Sequence, residues 1–168
     1  LACGTVIGII NGAIIATSGI PAFISTLGVS QALKGGALLI SDGKIVSNLR
    51  PDFLWISNGN FLGISPSIWI LLVMAILLHI LLTYTRFGKY VRAVGGNSMA
   101  ARVSGINVKK MYIRVFMREG FICGLAGILL AARMGSANPQ TGETYSLDAI
   151  TGAFIGGVSF RGGVGTIW

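Results

Sequence analysis

Residues 67–84 read SIWILLVMAILLHILLTY, eighteen positions without an acidic, lysine or arginine side chain and with His79 as the lone imidazole. As a helix rising ~1.5 Å per residue they extend ~27 Å, close to the ~30 Å hydrocarbon thickness of a bilayer. Pro66 suits the first helical position, Trp69 can anchor the segment at one interface, and Tyr84 and Phe87 can mark the other. The stretch therefore predicts a membrane-spanning helix. The composition extends that reading to the whole chain. Of 168 residues, 53% are apolar and 11% charged, against ~25% charged in an average soluble domain. Disorder is excluded by the apolar content, and a disulfide scaffold by having only two cysteines. A soluble nucleic-acid binder would carry more charge in total, not merely the net +8 seen here.

Toward the N-terminus the first charged residue is Lys34. Residues 1–16 form one apolar segment, in which Gly4, Gly8 and Gly12 recur every four positions. On a helix they make one stripe of small residues that lets another helix approach closely. Thr17–Pro21 reads as a turn, because proline disfavours helix in the residue before it. Residues 22–40 then form a second segment, with Lys34 near enough to its end to snorkel. Ser41–Ser65 is polar and long for a connection, so a short interfacial element is expected within it.

Toward the C-terminus the character changes. Arg86, Lys89, Arg92, Arg102, Lys109, Lys110, Arg114 and Arg118 account for 8 of the 13 basic residues. By the positive-inside rule, residues 85–110 are a cytoplasmic loop, so helix 67–84 runs inward, 22–40 outward, and 111–133 outward again. Gly135–Leu147 is then external, and it holds Glu143 and no Lys or Arg. Residues 147–160 are apolar but short, and the glycines at 156–157 and 162–165 break any helix nearby. This predicts a broken or re-entrant segment, a form tolerated at membrane depth only where protein or a water-filled cavity covers it. The expected fold is an all-α integral membrane protein with polytopic transmembrane helices. The chain has no Met start or signal-peptide pattern, and both ends fall inside apolar or Gly-rich runs, which predicts part of a longer polypeptide.

Within the basic loop, Gly95-Gly96 allows a tight turn, Asn97 or Ser98 is a good helix N-cap, Met99–Val103 can form one short helix, and Gly105 can stop it. Such a helix, rich in small residues and flanked by cations, can lie in a groove of another protein. The plainer alternative is a solvated basic loop drawn to anionic lipid. Catalysis is not indicated. There is no phosphate-binding glycine loop ending in Lys-Ser/Thr, no metal-ligand spacing and no nucleophile–base–acid set. Cys3 and Cys123 read as small buried residues rather than a disulfide.

The string Gly95-Gly96-Asn97-x-x-Ala100-Ala101-Arg102-x-Ser104-Gly105-Ile106 closely resembles the cytoplasmic loop in permease subunits of ribose/xylose/galactoside-type ABC importers. Three other stretches are similar to that family in the same order. They are Asn11-Gly12 followed by Pro21–Gly28, then Thr85–Lys89, then Leu147–Ile150 through Gly156-Gly157 to Gly162–Gly165. The resemblance covers essentially the whole chain and implies an ABC importer permease-like fold. It further implies a coupling helix within 96–106 that seats on a cytoplasmic ATPase subunit, which would bind the ATP; the chain itself would hold no cofactor or metal. The other implied partners are a second permease subunit, expected as a homodimer, and a periplasmic or lipid-anchored sugar-binding protein, in the lipid of a bacterial inner membrane and with no nucleic acid. The cargo would be a pentose or related sugar, moved by alternating access. The coupling-loop candidates are thus Gly95, Gly96, Asn97, Ala100, Ala101, Arg102, Ser104, Gly105 and Ile106, and the substrate-path candidates are Asn11, Phe23 and Asp148. Asp148 reads first as a helix N-cap, Asn11 first as a bond to a neighbouring helix.

Arg118-Glu119 departs from the family pattern. The pair reads either as pathway charges or as groups near the inner interface. Two other functions stay open at this point. One is an ion-coupled secondary transporter using a broken helix near Asp148. The other is a non-transport scaffold whose basic loop binds anionic lipid or nucleic acid.

Overall fold

The computed structural model describes residues 1–47, 49–61, 63–159, 162–165 and 167, and the backbone alone at 143–144. Eight helices are present among them: α1 (Ala2–Ser18), α2 (Ala22–Ser41), α3 (Pro51–Asn58), α4 (Pro66–Tyr84), α5 (Arg86–Gly96), α6 (Ser98–Val103), α7 (Val108–Met134) and α8 (Glu143–Ile155). Only isolated bridges, such as Val46 with Ala137, supplement them in the described residues. The architecture is all-α. Three helices, α2, α4 and α7, are long and apolar enough to cross a membrane, and α1 is a shorter apolar helix of 17 residues. These spans hide almost nothing within the chain, and α4 has no buried residue at all. An apolar helix exposed all round cannot be accommodated by water, so its surroundings are lipid or other membrane helices.

Local chemistry sets the ends. Pro66 and Pro51 each occupy the first turn of their helix, where the missing N–H costs nothing. Pro21 is the residue just before α2, where its fixed φ leads the turn into the helix. The polar loop after α2 holds α3, which is tied to α4 by the Ser67 hydroxyl, 3.0 Å from that of Ser57.

The chief packing is antiparallel, between α1 and α7. Gly4, Gly8 and Gly12 face α7 along one stripe, and Gly120 and Gly124 answer them. A Cβ added at Gly4 would stand 2.5 Å from the Gly120 carbonyl oxygen. One at Gly12 would stand 2.7 Å from the Ile113 Cα. The backbones touch because no side chain intervenes, which is how membrane helices gain van der Waals contact without a hydrophobic drive.

The expected loop at 85–110 is largely helical. Thr85 separates α4 from α5 in an extended conformation and caps α5 with its hydroxyl. Gly95 and Gly96 do not make a tight turn but close α5, because a glycine pair at a C-terminus is compatible with helix geometry. At the other end of the chain, α8 begins four residues earlier than the predicted segment and stops before Gly156-Gly157. The chain then runs on without helix, and Gly162 and Gly163 lie against Gly95 and Gly96. The segment therefore starts beyond the far end of α7 and finishes at the basic end. Residues 160, 161 and 168, which the sequence reading included, lie outside the described residues.

Candidate functional site

On α5, Phe87, Val91 and Val94 recur at helical spacing and form one apolar edge, while Arg86, Lys89 and Arg92 point elsewhere on the helix. That edge meets α6 and the start of α7. Val94, Ala101 and Met111 are 8%, 4% and 3% exposed, and Phe87, Val91, Ile106, Val108 and Tyr112 pack around them. This is the most compact side-chain cluster in the described chain, and it turns three helices into one rigid knuckle.

Side-chain caps fix its corners. The Asn97 Oδ1 accepts from the Ala100 N–H at 2.9 Å, and the Asn107 Oδ1 accepts from the Lys110 N–H at 3.0 Å. Gly105, at φ 83°, ends α6, and the Ile106 N–H returns to the Ala101 carbonyl at 3.0 Å. Asn97 is thus the N-cap, as its side-chain chemistry suggests.

The knuckle sorts the coupling-loop candidates into two faces. Ala101 and Ile106 look inward and brace the fold, and Gly95 is held against Gly163. Asn97, Ala100, Arg102, Ser104 and Gly105 are exposed, as is Gly96. The most prominent outward side chains are two that the motif reading passed over. Met99 is 68% and Val103 84% exposed, and at i, i+4 they share one face. The signal was available: on a six-residue helix whose inward position is Ala101, Met99 and Val103 are left to face out. Beside them a cleft of about 670 Å³ separates α6 from the α1–α2 turn, walled by Ile15, Ile20, Met99, Arg102, Lys109 and Tyr112.

The substrate-path candidates are not brought together. Asn11 is on α1 with its buried Oδ1 lacking a hydrogen-bond partner, Phe23 is exposed on α2, and Asp148 is exposed on α8. Asp148 is not an N-cap, because α8 starts at Glu143 and leaves it in the second turn. Arg118 resolves differently. Its guanidinium stacks on the Phe87 ring, 3.9 Å from the centroid, and donates to the Arg114 carbonyl at 3.0 Å. Phe87 is in the first turn of α5, three residues past the end of α4, so Arg118 stands level with the basic end of that span. Of the two readings of this residue, the position supports the interfacial one. Among the described residues no group of three His, Cys, Asp or Glu side chains could hold a metal; both cysteines are free, and both are exposed within this chain rather than buried as the sequence predicts.

A bundle of apolar helices closed by glycine contacts, with a capped helical knuckle at its basic end, is the body of a polytopic membrane protein. The chain belongs to the family described as the branched-chain amino acid transport system / permease component, whose model matches residues 1–167. It is 38% identical over 171 residues to the ribose import permease protein RbsC of Haemophilus influenzae, covering 99% of this chain and 53% of that protein. It is 39% identical over 158 residues to the L-arabinose transport system permease protein AraH of Escherichia coli, covering 94% and 48%. The D-allose transport system permease protein AlsC of Escherichia coli is 38% identical over 165 residues, covering 98% and 51%. The chain spans about half the length of the curated relatives it matches. No solved structure matches it significantly.

Proposed function

We propose that this chain is part of the membrane-spanning subunit of an ATP-driven importer for a pentose or related sugar in a bacterial inner membrane. The relatives' names support the transport of sugars, and ribose and arabinose among them support a pentose. The carrying observation is the outward pair Met99 and Val103 on a helix that the Val94–Ala101–Met111 cluster holds rigid. An exposed apolar face at the basic, cytoplasmic end suits a groove on a separate ATPase subunit, which would hold the ATP. Ala100 lets the backbone come close, and Arg102 can meet an acidic group.

In this reading α6 is the coupling helix. Closure of the ATPase pair moves α6, and Met111 and Tyr112 carry the motion into α7 without slack. The glycine contacts make α1 follow α7, so both tilt together and open the path inward. A second copy of the permease completes that path, Asn11, Phe23 and Asp148 are its candidate lining in the assembled transporter, and a binding protein on the outer side delivers the sugar.

The test places a single cysteine at Val103 and co-expresses the neighbouring ATPase subunit. Crosslinking to that subunit, with sugar uptake that needs ATP and survives an uncoupler, is the expected result. Uptake that collapses with the uncoupler at constant ATP would instead assign an ion-coupled transporter. An assembled complex without the crosslink removes α6 from the contact.

A further inference from the structure

The spans α4 and α7 run side by side without closing on each other, and a cleft of about 430 Å³ is left between them. Its walls are Leu77, Leu78 and Leu81 of α4 with Met117, Phe121 and Ile122 of α7, almost wholly apolar. That size falls within the ~300–1,000 Å³ of ordinary ligand clefts. Arg118 lines its basic end, with its guanidinium carbon 3.9 Å from the Phe87 ring centroid. One of its five N–H groups goes to the Arg114 carbonyl, and no described carboxylate pairs with it. One turn earlier on α7, Arg114 adds a second, exposed cation.

We infer that this cleft binds an anionic phospholipid from the leaflet at the basic end. One acyl chain lies between Leu78 and Phe121, and the phosphate sits on Arg118. Three observations together select that occupant. Apart from Arg118, the one hydrogen-bonding side chain on the walls is Thr5, whose hydroxyl already donates to the Leu1 carbonyl, so a polar solute gains little there. The cleft lies within two helices suited to hydrocarbon. The one cation that lines the cleft, Arg118, is at the mouth, level with the end of α4, where a headgroup would be. A zwitterionic lipid fits the walls equally well but gains less at the mouth. The inference goes beyond the importer reading and does not depend on it, since it uses only the membrane position of α4 and α7.

The experiment reconstitutes the full-length permease complex in vesicles of mixed phosphatidylglycerol and phosphatidylcholine. Either lipid carries a photoreactive acyl chain, and labelled peptides are quantified. The native protein should label at Met117–Ile122 about fivefold more from phosphatidylglycerol than from phosphatidylcholine, the preference one surface cation supports. Arg118→Gln should reduce the phosphatidylglycerol signal to the phosphatidylcholine level, and Arg118→Lys should keep the preference. Leu78→Trp should narrow the cleft and reduce labelling by both. Gel filtration of each variant reports its assembly separately from its labelling. Equal labelling by the two lipids, or a preference unchanged in Arg118→Gln, would mean bulk lipid only and overturn the proposal. Loss of the preference in Arg118→Lys would remove charge as its cause. Absence of label at the cleft, with a cysteine at Leu78 crosslinking to another protein segment, would assign it to a helix instead.

Discussion

Gly8 of α1 lies directly against the backbone carbonyl of Phe116 on α7, and a Cβ there would also stand 3.1 Å from the Gly120 Cα. All of these neighbours are backbone, so none can swing aside. Gly8→Val should therefore separate the two helices, at a cost of about 1–3 kcal/mol. Reduced thermal stability of the purified protein, and reduced abundance in membranes, would register it. The control is Gly28→Ala on α2, where nothing lies within 4 Å. It should be neutral or gain up to about 1 kcal/mol from helix propensity.

The two faces of α6 should respond to substitution in opposite ways. Met99→Asp with Val103→Asp alters only exposed positions, so the protein should insert and fold normally while losing ATP-driven uptake. Ala101→Leu adds volume beside Val94 and Met111, and should cost about 1–3 kcal/mol in stability. Membrane abundance and uptake, measured together, separate these outcomes. Uptake retained in the double aspartate variant would exclude this face from energy transfer.

Removing a cap should loosen the knuckle without disturbing the spans. Asn97→Ala and Asn107→Ala each delete one acceptor for a helix-start N–H, worth about 1 kcal/mol. Hydrogen exchange should quicken at the Ala100 and Lys110 amides, while α4 amides stay unchanged. Asn97→Asp, which keeps an acceptor, should restore protection.

A fourth expectation concerns the C-terminal run. Gly163 has φ 76°, and a Cβ on it would stand 2.6 Å from the Gly96 nitrogen. Gly163→Ala should detach this segment from α5 and increase its protease sensitivity. Gly165→Ala, where the nearest neighbour is a Val158 methyl at 3.4 Å, should have a much smaller effect.

Much of this architecture was legible in local patterns. The uncharged run ending at Tyr84, the stripe of Gly4, Gly8 and Gly12, the cap at Asn97 and the stop at Gly105 all follow from spacing or from one residue's backbone chemistry. What escaped is what depends on distant partners. Gly120 and Gly124 share the same four-residue spacing, yet a stripe becomes meaningful only when its mate is known. The inward turn of Ala101 required Val94 and Met111 to be placed around it. The start of α8 at Glu143 escaped because polar residues 143–146 look like loop, and helix continuity there is a matter of length rather than hydropathy. Asn11, Phe23 and Asp148 were chosen for chemistry alone, and they stand on three separate helices.

The meeting of Gly95 with Gly163 has a mechanical corollary. Two routes leave the short handle formed by α6: one up the stiff rod of α7, the other through α5 and this side-chain-free joint into the non-helical run that leads back to α8. A displacement applied at the handle thus loads both limbs at once, like one lever with a double linkage, and the far side of the bundle receives it at two separated points.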